Sequence, residues 1–127
     1  MASKWSKVGL ANGKTKLKMP KSIDSKSKVK GSYKFEISGD SIPYPNKNGK
    51  TLYIGGTNNL YRRIMEQHLK GRSSSPSLQA YLKSKKRVYL WIKRAKGNAS
   101  DKVLERKERN KHISEYGMKP ICDNKEK

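Results

Sequence analysis

The sequence holds one cysteine, one phenylalanine and two histidines among 127 residues. A single cysteine, Cys122, excludes an intramolecular disulfide. One Cys with two widely separated His residues also lacks the spacing of a zinc site or a Cys-nucleophile site. Free thiol usage of this kind suits a reducing cytosol. Acids are scarce too: 10 Asp and Glu stand against 31 Lys and Arg, a formal net charge of +21 with a sequence pI of about 10.2. Hydrophobic residues make up only 32% of the chain. None of their runs approaches the roughly 20 apolar residues that span a bilayer. The lysine-rich N-terminus has no apolar stretch after it, so it does not read as a secretory signal. The expectation is a cytoplasmic protein that does not engage membranes.

What is there is positive charge. A charge this large repels itself unless a polyanion or salt screens it. Nucleic acid is such a polyanion, and neutralisation of its phosphates by Lys and Arg predicts salt-dependent binding. Charge alone does not separate a nuclease from a ribosomal-type protein or a non-enzymatic DNA or RNA binder.

The chain divides near Gly31. Residues 1–30 carry nine lysines from Lys4 to Lys30, with Asp24 the only acid and no sustained hydrophobic period. Such a segment buries too little apolar surface to offset its ordering entropy. It reads as a flexible basic arm, either touching DNA or serving as a solubilising tail. Trp5 argues for a contact, by docking on the domain or stacking on a base. From Gly31 order is expected. Tyr33, Phe35 and Ile37 alternate with Lys34 and Glu36, a strand with one buried face. A long loop follows through Asn48-Gly49. Thr51–Ile54 is the return strand, stopped by Gly55-Gly56, and the pair reads as an antiparallel hairpin.

Thr57-Asn58-Asn59 offers N-cap side chains for a helix to about Leu69, with Leu60, Ile64 and Met65 on its apolar face. Ser75 and Pro76 read as the N-cap and first position of a short helix carrying Leu78, Tyr81 and Leu82. Val88 to Ile92 is apolar on both faces, as a covered central strand would be. A last helix, about Asp101 to Glu115, is expected to anchor through Val103, Leu104 and Ile113 and to end at Gly117 and Pro120. His112 on that helix is read as solvent-facing. The predicted order is β-β-α-α-β-α: a small α/β domain with a three-stranded antiparallel sheet, at about 33–38, 51–54 and 88–93, flanked by helices.

The informative constellation is Gly31-Ser32-Tyr33, Tyr53-Ile54-Gly55, Arg63 on the next helix and Glu105 on the last. It resembles the GIY-YIG nuclease superfamily over residues 31–124. Tyr53-Ile54-Gly55 reproduces the second signature element, and Gly31-Ser32-Tyr33 the first with serine at a variable position. Arg63 falls eight residues after Gly55, as in the family. Leu104-Glu105 resembles the start of the glutamate helix. Pro120-Ile121-Cys122 with Asp123-Asn124 resembles the closing proline-to-asparagine segment.

There are departures. Tyr33 and Tyr53 are twenty positions apart, and the inserted loop, with Tyr44, Lys47 and Lys50, is either a DNA-contacting element or an ordinary solvated loop. The family's histidine falls four residues after the arginine, but here Gln67 holds that place and His68 follows. On a regular α-helix His68 would sit roughly 140° from Arg63, against about 40° for a spacing of four. It joins the site only if the helix bulges or ends early. Glu108 is an alternative to Glu105, and Asp123 to Asn124.

The resemblance implies a metal-dependent DNA endonuclease. Tyr33 would help deprotonate the attacking water, Tyr53 would orient the phosphate, and Arg63 would stabilise the transition state. Glu105 would hold Mg²⁺ or Mn²⁺, Asn124 would position the phosphate, and His68 is a further candidate. Gly55, Lys47, Lys50, Arg62, Lys85, Lys86 and Arg87 are candidates for DNA contact. The basic run before Val88 also fits a helix C-terminus, where cations are favoured anyway. Specificity is left to the arm, the hairpin loop, a partner or a homodimer.

Overall fold

The alternation from Tyr33 to Ile37 produces the strand it predicts. In the computed structural model of the chain β2 runs Gly31–Ser38, β5 runs Thr51–Thr57 and β6 runs Arg87–Arg94. The structure describes residues 5–12, 17–21, 23, 26, 28–68, 75–84, 86–95 and 101–122, without the side chains of 66–68 and 101. β2 lies between β5 and β6 and is antiparallel to both. Tyr33 faces Gly55 and Ile92, and Phe35 faces Tyr53 and Leu90. With the period of two along a strand, these side chains share one face of the sheet. Lys34, Trp91, Glu36, Tyr89 and Lys93 share the other. Gly55-Gly56 does not stop β5 as expected: the strand continues to Thr57, because Gly31 and Ser32 still pair with Thr57 and Gly56.

The sheet has four strands, not three. β1, Ser6–Leu10, adds to the outer edge of β6 and gives the order β1-β6-β2-β5. For these residues the flexible-arm reading is corrected. Val8 and Leu10 are half-buried, and the edge of β6 offers backbone partners that composition does not reveal. Leu17 and Ile23, from the same basic segment, are buried in the core.

The loop between β2 and β5 folds on itself. Ile42–Pro43 (β3) pairs with Asn48–Gly49 (β4). Ile42 and Tyr44 are buried, and the Tyr44 hydroxyl donates to the Thr51 carbonyl at 2.6 Å while accepting from the Ile121 amide at 3.1 Å. Tyr44 therefore holds the loop to the domain and is not a surface contact for DNA.

Asn59 caps the next helix, its side chain accepting from the Arg62 amide at 3.1 Å, and Thr57 accepts from the Asn59 amide at 3.1 Å. Residues Arg62–His68 then form a π-helix. Leu60 and Ile64 carry its buried side. α1, Pro76–Lys83, starts as the sequence predicts, with Ser75 accepting from the Leu78 amide at 3.2 Å and proline in the first turn.

α2, Asp101–Tyr116, packs across β5 and β2. Of its expected anchors only Leu104 is half-buried: Val103 and Ile113 are 57% and 41% exposed, whereas Glu105, Glu108 and His112 are buried. His112 is therefore not solvent-facing. Apolar periodicity cannot find a helix whose inner face is polar: Glu105 pairs with Arg109, Glu108 with Lys93, and His112 bonds the Met118 carbonyl. Gly117 ends α2 with φ 92°, the left-handed conformation glycine tolerates.

Candidate active site

Tyr33, Tyr53 and Arg63 come together from three elements. β2 and β5 pair in a register that stacks the two tyrosine rings, with centroids 6.1 Å apart and planes 21° from parallel. Both rings are buried to 1% exposure, so neither is a surface tyrosine. Arg63 comes from the helix that β5 feeds, and its Nε–H donates to the Tyr33 hydroxyl at 3.2 Å. Burial pushes the Tyr33 pKa far up, Tyr53 adds to this, and Arg63 opposes it without cancelling it. Tyr33 is thus a neutral phenol under ordinary conditions. Burial alone would pull Arg63 down, but the hydroxyls of Tyr33 and Tyr53 outweigh it and leave its pKa raised.

Two small residues make this arrangement possible. A Cβ on Gly55 would lie 2.5 Å from both Cζ and Oη of Tyr33, so only glycine leaves room for that ring. The resemblance makes Gly55 a candidate DNA contact, and the structure gives it this packing role. Ser32, fully buried, donates its hydroxyl to the Gly55 carbonyl at 2.7 Å and ties the two signature segments to each other.

The π-helix bears on His68. Its hydrogen bonds run i→i+5, so one turn holds one residue more than in an α-helix. A spacing of five from Arg63 to His68 is then close to one turn, which satisfies the bulge condition at the level of the backbone. The His68 side chain lies outside the described residues.

The acidic residues occupy another wall. Glu108 accepts from Lys93 Nζ at 2.7 Å and from Trp5 Nε1 at 3.3 Å, with Lys111 at 3.7 Å. Lys93 alternates with Ile92, which pairs with Tyr33, so Glu108 lies on the face of the sheet away from Tyr33. Glu105 is nearly one turn before it on the same side of α2, buried, with its carboxylate paired to Arg109. α2 packs on β5 and β2, with Tyr116 beside Gly49 of β4. The Glu105 carboxylate is a hard oxygen donor of the kind Mg²⁺ takes, and Mg²⁺ commonly uses only one or two carboxylates plus water and substrate phosphate. Among the described residues no three His, Cys, Asp or Glu side chains gather as an all-protein metal cage. The residues therefore fit a cation completed by substrate, with Arg109 sharing the carboxylate.

The predicted basic contacts scatter. Lys47 pairs with Glu115, and Lys86 with Asp40 at 2.8 Å, both at the surface. Lys50, Arg62 and Arg87 are exposed. Lys85, Asp123 and Asn124 lie outside the described residues. The segment leading to them is anchored beside the site: the Cys122 amide donates to the Leu52 carbonyl at 2.8 Å, next to Tyr53. Burial pushes the Cys122 thiol up to about 12, so it is inert. Lys93 is a residue that sequence reasoning missed, although a lysine at the end of an apolar strand run signals a buried ion pair.

A family model described as the GIY-YIG catalytic domain matches residues 44–116. That span holds Tyr53-Ile54-Gly55, Arg63, α1, β6 and Glu105 but begins after Tyr33, whose place rests on strand pairing and the Arg63 contact. No curated protein and no solved structure matches the chain.

Proposed function

We propose that this chain, which belongs to the GIY-YIG nuclease superfamily, is a metal-dependent endonuclease that hydrolyses phosphodiester bonds in DNA. The observation that carries the reading is Arg63 converging on two buried, stacked tyrosines. Structural packing alone has no need of a guanidinium aimed at a buried phenol.

Arg63 meets the charge that develops on the phosphate as the bond breaks, and it is held in place before the substrate arrives. Tyr33 starts as a neutral phenol, so it must lose its own proton before it can take one from the attacking water. Arg63 pulls in that direction. Tyr53 stacks on Tyr33 and orients the phosphate. Glu105 would hold Mg²⁺ or Mn²⁺, which when bound supplies charge to the phosphate and the leaving oxygen. His68, one π-turn after Arg63 along the backbone, keeps the supporting role that the resemblance implies, and Asn124 follows the segment anchored beside Tyr53. The net charge of +21 holds the DNA.

The experiment is plasmid cleavage by the purified protein with Mg²⁺, with excess chelator as the control. Arg63→Ala is expected to lower the cleavage rate on the order of 10²–10³-fold while DNA binding persists through the remaining basic residues. Undiminished cleavage by Arg63→Ala would sink the reading.

A further inference from the structure

The sheet has a second surface that the nuclease site does not use. On the face away from Tyr33, α2 lies across β5 and β2. Towards the β6 and β1 edge the same face carries Tyr89 and Trp91, with Lys7 across from Trp91 on one side and Lys34 on the other. Trp5 stands two residues before Lys7. All three rings are half-buried rather than buried. Cations sit between them. Lys7 Nζ is 4.0 Å from the Tyr89 ring centre and 5.8 Å from that of Trp91. Lys34 Nζ lies 4.6 Å from Trp5 and 5.6 Å from Trp91. Lys7 and Arg87 are exposed on this face.

We propose that this face binds single-stranded DNA, with unpaired bases stacked on Tyr89 and Trp91 and the phosphates taken by Lys7 and Arg87. Aromatic rings on a sheet with interleaved cations are what an unpaired strand requires: every base has a π-face, and every nucleotide brings one phosphate. Lys7 rests exposed on its rings and is weakly held there, whereas Lys34 is half-buried and paired with Glu36 at 3.2 Å. Base stacking is the stronger contact, and the displaced lysine then pairs with phosphate, so the exchange is favourable on both counts. Trp5 is committed to Glu108 through Nε1 and anchors the end of the surface. Duplex DNA keeps its bases stacked inside and cannot use the rings, so the surface selects unpaired strands. The inference shares with the nuclease reading only the class of partner.

The chain has two tryptophans, both on this surface, so indole emission reports its occupancy directly. The full chain is titrated with an oligodeoxythymidylate of about 12 nucleotides, within the site size of such surfaces, in the presence of chelator so that nothing is cleaved. Quenching is expected, and heparin at equal charge should not reproduce it. Tyr89→Leu is expected to weaken oligonucleotide binding on the order of tenfold, Tyr89→Phe to preserve it, and neither to change plasmid cleavage with Mg²⁺. Equal quenching by heparin, or unchanged affinity of Tyr89→Leu, would overturn the proposal in favour of a general electrostatic coat. Tighter binding of oligouridylate would overturn the assignment to DNA. Quenching without any plasmid cleavage would count against the nuclease reading and leave this surface standing.

Discussion

Gly55 lets Tyr33 lie where Arg63 can reach it. Alanine there brings a carbon to 2.5 Å from the Tyr33 ring and hydroxyl, and the ring must move. A misplacement of about 1 Å in a catalytic group can cost on the order of 10²-fold in rate. Gly55→Ala is therefore expected to lose about that much cleavage, with a stability cost of about 1–3 kcal/mol, checked by kinetics alongside thermal unfolding. Cleavage at the wild-type rate would mean that Tyr33 is not in the machinery. As a base, Tyr33 would also set the pH profile. Its pKa is raised, so the ionised fraction grows tenfold per pH unit through the whole range up to the ordinary phenol value near 10. If Tyr33 acts as base, kcat/KM should climb with a slope near 1 and no plateau below about pH 9, and Tyr33→Phe should remove both the climb and the activity. A plateau near neutrality would assign the base to another group.

α2 is an element held by polar groups. Glu108 and Lys93 form a buried pair, with side chains 7% and 9% exposed. Glu108→Gln strands the Lys93 charge and is expected to cost about 3–5 kcal/mol. Glu105→Gln is expected to abolish Mg²⁺-dependent cleavage at temperatures where it remains folded, because a hard divalent ion needs the formal charge. Thermal unfolding and cleavage measured on both variants separate the two roles. A Glu108→Gln protein that is stable yet inactive, beside an active Glu105→Gln, would move the metal ligand by one turn.

His112 gives α2 a pH dependence. Burial lowers its pKa by more than the Nδ1–H bond to the Met118 carbonyl, at 2.7 Å, raises it, so the ring is neutral at neutral pH when folded. The unfolded chain then binds the extra proton first, so stability is full above the unfolded value near 6.5 and declines as pH falls below it. Depressed carboxylates such as Glu108 add their losses only below about pH 4.5. The melting temperature should therefore fall between about pH 7 and 5, and less so in His112→Asn. An equal fall in that variant would place the titrating group elsewhere.

For the whole molecule, the basic N-terminal segment is part of the fold and part of the charge. Removing residues 1–30 deletes β1 together with Leu17 and Ile23 from the core. Ile23 is 1% exposed, and its truncation alone is worth about 2–5 kcal/mol. The expectation is a marked drop in melting temperature, together with weaker DNA binding and a shallower dependence of affinity on salt. A truncated protein that melts like the full chain would return the segment to the status of a tail.

Sequence pattern was enough for β2, β5 and β6, the Ser75-Pro76 start of α1 and the end of α2 at Gly117. Each is specified by neighbours within a few residues, through alternation, capping or backbone freedom. The order of tyrosine, tyrosine, arginine and glutamate was equally legible, because it is written along the chain. Only the tertiary structure decided the rest. β1 exists because β6 has an edge to pair, and the edge is made by residues eighty positions away. The inner face of α2 is charged because Lys93, Trp5 and the Met118 carbonyl wait for it. Tyr33 is neutral because burial raises its pKa and Arg63 does not offset it. Such pairings and the local dielectric depend on what lies next to a residue in space, and a linear pattern does not carry that.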